Sequence, residues 1–298
     1  MVKKEKRKMK VLSLFDGISC GQVALERAGI PVERYVAYEI DENAIKVSKH
    51  NYPKIEHCGD VTTADFSKHE GFDLLIGGSP CQDFSTLNRK RLGLSGGKSG
   101  LFWEFVRALE ESKPKYFMLE NNSSMPKEAM EIISEILGVK PIEINSSLVS
   151  GQLRRRLYWT NIPNVGQPND KRISLIDLVE KYPFYNEIEL VEWTKKKVAK
   201  TEEKYGYIPR IFCPYVCTEI NDKHYCLTAQ GNSQTKSSTN ILYEKGKFYM
   251  FNADFWEILQ TLPIGYTRCL EKENRRKTVI GNGWTVDVIA HIFRGLNV

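Results

Sequence analysis

The 298-residue sequence contains no uninterrupted apolar run near the roughly 18 residues that a membrane-crossing helix needs, which excludes a helical membrane protein. Its opening segment, Met1 to Lys8, is lysine-rich and lacks the apolar core of a secretory signal, which predicts a protein that works inside the cell. Paired cysteine spacing is missing too. The seven cysteines, at 20, 58, 81, 213, 217, 226 and 269, are odd in number and irregularly placed, which predicts reduced thiols rather than a disulfide framework.

What is present is enough apolar material, 41% of residues, for one large domain with a sizeable core and a smaller second one. The formal charge of +6 is modest. Basic residues nevertheless gather at Arg89-Lys90-Arg91, Arg154-Arg155-Arg156, Lys195-Lys196-Lys197 and Arg275-Arg276-Lys277, a distribution that suits a polyanion such as nucleic acid. Solvated faces are the competing reading of any one cluster.

Along the chain, Lys10 to Phe15 reads as a short apolar strand, followed by a turn, Asp16 to Gly21, and a helical pattern through Ala28 and Gly29. A second strand, Tyr35 to Tyr38, ends in Glu39-Ile40-Asp41 about 20 residues on, and Gly59-Asp60-Val61 follows a further helix. This alternation predicts an α/β, doubly wound sheet. Glycines let the backbone approach a ligand, an acid at the next strand end can hold two ribose hydroxyls, and Asp60 can accept from an adenine amino group. Glu39 is the ribose candidate. The turn is not the dinucleotide glycine pattern, which points to S-adenosylmethionine rather than NAD.

Gly17-Ile18-Ser19-Cys20-Gly21 also matches the nucleophile elbow of serine hydrolases. It follows the first strand, with no earlier loop to supply an oxyanion donor, and His224 and His291 have no evident acid partner. A different nucleophile is better placed. Ser79-Pro80-Cys81-Gln82 ends the apolar run Phe72 to Gly78, and Glu120-Asn121 ends a second run, Tyr116 to Leu119. A thiol and an acid at neighbouring strand ends can converge on one substrate.

These residues resemble the ordered motifs of the cytosine-C5 DNA methyltransferase family, with wording nearest the catalytic domain of the animal de novo class. The likeness rests on Val11 to Gly17, Phe72 to Cys81 through Ser85, Leu119-Glu120-Asn121, Arg154-Arg155-Arg156 with Tyr158-Trp159, and Gly281 to Val286. It implies a Rossmann-like S-adenosylmethionine-dependent methyltransferase fold with a mostly parallel sheet and a smaller target-recognition domain. The implied cofactor site is Phe15, Asp16, Gly17, Ile18, Ser19, Cys20 and Gly21 with Glu39, Ile40, Asp60, Val61, Ser79, Pro80, Asn282, Gly283 and Trp284. By the same resemblance Cys81 attacks C6 of a flipped-out cytosine, Glu120 protonates N3, Arg156 contacts O2, and Arg154 holds the site or a phosphate. Leu153 departs from the family's Gln-Arg-Arg-x-Arg element, which argues against a role at that position.

The target carbon is inaccessible inside a duplex, so the nucleotide must leave the stack. Asp83 to Gly100, basic at Arg89, Lys90 and Arg91 and rich in glycine, is the expected closing loop, with Gln82 and Ser85 as DNA contacts at its root. From Pro163 to about Phe251 the strand and helix alternation fades, which predicts an inserted domain, and Leu227 to Gly231 resembles its recurring Thr-leading element. The expected division is 1–163 plus 274–298 for catalysis and cofactor, and 164–273 for target recognition and hinge. Cys213, Cys217, His224 and Cys226 lack the knuckle spacing of common zinc sites, and no metal is expected.

The implied partners are duplex DNA and a separate cognate restriction endonuclease, with a monomeric protein, no membrane, and the cytoplasm of a bacterial or phage-infected cell as its place. An RNA-directed enzyme of the same chemistry and a non-catalytic DNA-binding relative are the alternatives.

Overall fold

The computed structural model describes residues 7–79, 100–220, 222–229, 233–236 and 239–296. The chain divides into two compact units: 1–144 with 155–167 and 288–298, and 145–154 with 168–287.

The first unit is built on β1 (Met9–Leu14), α1 (Cys20–Arg27), β2 (Val32–Tyr38), α2 (Glu42–Asn51), β3 (Glu56–His57), β4 (Leu74–Gly77), α3 (Gly100–Ser112), β5 (Tyr116–Asn122), α4 (Lys127–Leu137), β6 (Ile142–Asn145) and β7 (Arg155–Thr160). The sheet order is β3-β2-β1-β4-β5-β7-β6. β1, β2, β3, β4 and β5 pair in parallel, whereas β7 runs antiparallel to β5. The apolar runs of β1, β4 and β5 are nearly continuous because a parallel sheet is covered on both faces. Leu12, Leu14, Leu75, Phe105, Phe117, Leu119, Ile133 and Trp159 form the shared core.

Local signals place the helices. The Asp41 side chain accepts from the amides of Asn43 and Ala44 and so starts α2, and Gly138 ends α4 in the left-handed region at φ 68°. Strand β5 runs three residues beyond the expected end at Leu119. Its antiparallel partner explains this, since Glu120, Asn121 and Asn122 face Tyr158, Leu157 and Arg156 in β7.

The second unit contains α5 (Leu175–Lys181), β8 (Tyr185–Glu187), α6 (Glu192–Tyr205), β9 (Ile211–Cys213), β10 (Thr218–Glu219), β11 (Ile241–Glu244), β12 (Lys247–Phe251), α7 (Ala253–Leu259) and α8 (Glu273–Asn282). Its strands form an antiparallel sheet ordered β10-β9-β11-β12-β8. Lys245 and Gly246, both at positive φ, close the β11–β12 hairpin. Leu175, Ile211, Leu242, Phe251, Phe255, Trp256 and Ile280 make the core on one side of this sheet, and Val198, Phe212 and Ile241 make a smaller cluster. Helix α9 (Val286–Phe293) follows, and from Val288 onward the chain belongs to the first unit.

The two units depart from the expected boundaries at 145–154 and 274–287, which group with the second unit, and at 164–167, which groups with the first. Packing gives the reason. In α8, Ile280 enters the second core, and Arg276 is ion-paired with Asp254 at 2.5 Å and Glu257 at 3.0 Å, both on α7. In the 145–154 segment, buried Gln152 donates to the carbonyl of Leu259 and to Gln260. Among the described residues, no helix is long and apolar enough to cross a membrane.

Candidate active site

In the order β2-β1-β4-β5, connections diverge on either side of β1 and β4, which makes the carboxyl ends of these strands the expected ligand crevice. The turn after β1 departs sharply from ordinary backbone. Phe15, Gly17 and Ser19 have φ of 55°, 59° and 59°, and a bulky residue at positive φ persists only where its surroundings hold it.

Two carboxylates hold this turn. Asp16, 8% exposed, accepts from Ser13 Oγ at 2.6 Å, Tyr35 OH at 2.7 Å and Ser19 Oγ at 2.5 Å. Burial raises its pKa to about 6 against the opposing pull of these hydroxyls, and Glu39 adds to the rise, so Asp16 is ionised at neutral pH. Burial, with Asp16 next, also pushes the Tyr35 phenol upward and keeps it a donor. Glu39 accepts the Gly17 amide at 2.7 Å and, through its other oxygen, the amides of Ile40 and Asp41.

The side chains of Ile18, Ser19 and Cys20 are buried, so this stretch turns them into the protein. Ser19 does have the positive φ of a nucleophile elbow. It is fully buried, however, and its hydroxyl is engaged with Asp16 and Ser48, which removes the hydrolase reading. Ile40, by contrast, is 70% exposed beside Glu39, and nothing lies within 4 Å of where a Cβ would stand on Gly17. Exposed Asp60 caps the short helical turn Val61–Thr63 by accepting from the Thr62 amide, while Val61 is buried. An acid, an uncovered apolar side chain and an open glycine at adjacent strand ends fit the ribose and base of a nucleoside.

At the end of β5, Glu120 is 9% exposed and ion-paired with Arg156, Nε to Oε1 3.0 Å. Arg156 also donates to the carbonyl of Arg155, and Arg155 itself points away to Glu143. The next residue, Asn121, was not anticipated as functional. Its amide donates to the carbonyl and hydroxyl of Ser79, which anchors the exit of β4. No pattern in the sequence signals this, because the partners are 42 positions apart. Pro80, Cys81, Gln82, Ser85, Arg89, Lys90 and Arg91 lie outside the described residues, as do Gln230 and Gly231.

Arg154 belongs to the second unit, and its guanidinium is buried at 5% exposure. It donates to the carbonyls of Leu227 at 2.8 Å, Gly283 at 2.9 Å and Gly281 at 3.3 Å. This arrangement directs the charge at protein carbonyls rather than at a phosphate. The same unit holds Asn282, exposed at the end of α8, with Gly283 buried and Trp284 half-buried.

Gly281 has a steric role. A Cβ there would meet the backbone of Thr228 and Ala229 at 2.5 and 2.6 Å. Gly281→Ala is therefore expected to cost about 1–3 kcal/mol, read as a lower denaturant midpoint with an unchanged slope.

His224 is buried, with Nδ1 against the carbonyl of Tyr225, and burial lowers its pKa to about 4, so it is neutral. Among the described residues, no group of three or more His, Cys, Asp or Glu is gathered for a metal ion. Cys217 meets the carbonyls of Lys197 and Pro214, and Cys226 meets that of Leu227.

Solved structures share this architecture across nearly the whole chain. The Entamoeba histolytica methyltransferase EhMeth superposes with a TM-score of 0.73 at 14% identity, covering 97% of this chain and 98% of that one. The Schizosaccharomyces pombe Dnmt2 methyltransferase does so at 0.68 and 18%, covering 96% and 98%. The fold is thus that of a Rossmann-like methyltransferase.

Residues 9–138 match the family model described as C-5 cytosine-specific DNA methylase. Orphan methyltransferase M.SPRI of Bacillus phage SPR is 40% identical over 167 residues, which is 52% of this chain. The matched segment spans 38% of that relative's length.

Proposed function

We propose that this protein is a DNA (cytosine-5-)-methyltransferase that takes its methyl group from S-adenosylmethionine and acts on a cytosine flipped out of duplex DNA. The observation that carries the reading is the buried Glu120–Arg156 pair at the carboxyl end of β5, beside the strand whose exit leads to Cys81. The family match over residues 9–138 supports it.

C5 of cytosine is a poor nucleophile until C6 has been attacked. The Cys81 thiolate forms the S–C6 bond, electron density moves to N3, and Glu120 supplies the proton there. Arg156, paired with Glu120, would donate to O2. C5 can then take a methyl group, and loss of the C5 proton with cleavage of S–C6 returns the thiolate, while N3 gives its proton back to Glu120, leaving 5-methylcytosine. No residue is assigned to removal of that proton.

When bound, S-adenosylmethionine supplies an electrophilic sulfonium methyl. The glycine turn from Phe15 to Gly21 would cradle it. Glu39 would meet the ribose, Ile40 and Asp60 the adenine, and Ser79 and Pro80 the face toward the base. Asn282, Gly283 and Trp284 are the remaining candidates from the sequence. The proposed partners are duplex DNA and a separate cognate endonuclease, with a monomer working in the cytoplasm of a bacterial or phage-infected cell. Residues 164–273 are proposed to recognise the target, and Gln82, Ser85, Arg89, Lys90 and Arg91 to contact the DNA.

The test is base-resolution mapping of 5-methylcytosine in an unmethylated host expressing the chain. Methylation in one short sequence context is expected. Unmarked DNA with methylated RNA would assign the same chemistry to RNA.

A further inference from the structure

The hydroxyl of Ser19 does not end at Asp16. It also lies 2.6 Å from Ser48 Oγ on α2, and Ser48 Oγ lies 3.0 Å from His57 Nε2 on edge strand β3. Ser19 and Ser48 are fully buried and His57 is partly exposed.

Each hydroxyl has one hydrogen, and this decides the direction of every link. The ionised Asp16 carboxylate can only accept, so Ser19 donates to it. Ser48 must then donate to Ser19, and His57 must donate its Nε2 hydrogen to Ser48. The remaining ring nitrogen, His57 Nδ1, is buried without a hydrogen-bond partner, as expected of the unprotonated nitrogen in that tautomer. Burial, and secondarily Lys49, hold the imidazole pKa below its usual value, which keeps the ring neutral.

The relay joins three elements to one backbone position. Ser19 is the left-handed residue, φ 59° and ψ 38°, at which the turn becomes α1. An unanchored serine leaves that region readily, and the turn would then relax. Nothing in the assignment of Cys81, Glu120 or Glu39 involves Ser48 or His57.

We propose that Ser48 and His57 are positioning residues that act through Ser19 and Asp16 to hold the glycine turn in its cofactor-receiving conformation. The inference rests on the reading of that turn as the S-adenosylmethionine site. His57 is the position to alter, because it sits half-exposed on a two-residue edge strand where substitution disturbs little packing.

The test is calorimetric binding of S-adenosylmethionine to the full chain at pH 7.5, with thermal melting as a control. His57→Leu removes the donor and is expected to weaken binding about tenfold, the equivalent of one net hydrogen bond. His57→Gln, whose amide can donate to Ser48, is expected to restore binding to within about twofold. Ser48→Ala is expected to match His57→Leu. Equal affinity of His57→Leu and wild type would overturn the proposal, as would a glutamine variant no better than leucine. If Ser48→Ala does not fold, the His57 pair decides. Wild-type protein that binds no S-adenosylmethionine would instead overturn the cofactor reading on which the proposal depends.

Discussion

Glu120→Gln is expected to slow single-turnover methylation of duplex DNA by about 10²- to 10⁴-fold, the range over which a positioned proton donor contributes. Glutamine retains an oxygen for Arg156 Nε, now at 3.0 Å from the carboxylate, but has no proton to deliver to N3. The ion pair is nearly buried, with side-chain exposures of 15% for Arg156 and 12% for Glu120, so an uncharged residue that lost the contact altogether would strand the guanidinium. The glutamine variant avoids that penalty and isolates the chemistry.

Cys81→Ser belongs in the same experiment. It is expected to transfer no methyl group and to form no denaturant-stable adduct on a duplex carrying 5-fluorocytosine, where the C5 substituent cannot leave as a proton. Glu120→Gln is expected to form that adduct slowly. A wild-type rate for folded Cys81→Ser would remove the covalent mechanism, and one for folded Glu120→Gln would remove the proton-donor role.

The second large effect is on stability. Arg154→Met is expected to destabilise the second unit by about 3–5 kcal/mol, read from denaturant unfolding. Methionine approximates the length of the arginine stem but leaves the carbonyls of Leu227, Gly281 and Gly283 without their shared donor inside the protein. Arg154→Lys is expected to fall between the two, because one ammonium cannot span carbonyls that a planar guanidinium meets on two nitrogens. A methionine variant as stable as wild type would show that these carbonyls find other partners. The two arginines are thus expected to separate by readout, with Arg156 variants affecting catalysis and Arg154 variants affecting folding.

Much of the first unit was legible because its signals are local or periodic. The apolar runs Lys10 to Phe15 and Tyr116 to Leu119 read directly as strands, since a sheet covered on both faces demands unbroken hydrophobic residues. The turn after β1 was visible from its glycines, and Glu39 from its place at the next strand end. The end of β5 was misjudged by three residues because β7, which extends it, arrives about thirty-five positions later and leaves no mark on the run itself.

The domain boundary was less legible. A change in composition near Pro163 suggested a boundary there, whereas the second unit's largest segment begins at Pro168. It could not reveal that 145–154 and α8 fold with that unit, since Gln152 and Arg276 declare their allegiance only through partners far along the chain. Asn121, Ser48 and His57 escaped for the same reason.

The sequence by itself determined the order of strands and helices and the glycine turn, and it made Cys81 and Glu120 the candidates for the chemistry. Those follow from side-chain periodicity and from residue types that have few other uses in combination. Only the tertiary structure decided that Arg154 clamps carbonyls while Arg156 meets Glu120, that Ser19 is buried and tied to Asp16, and that Ser48 and His57 stand behind it. Hydrogen bonds are short and directional, and which groups come within 3 Å depends on how distant segments pack, a property that no local pattern encodes.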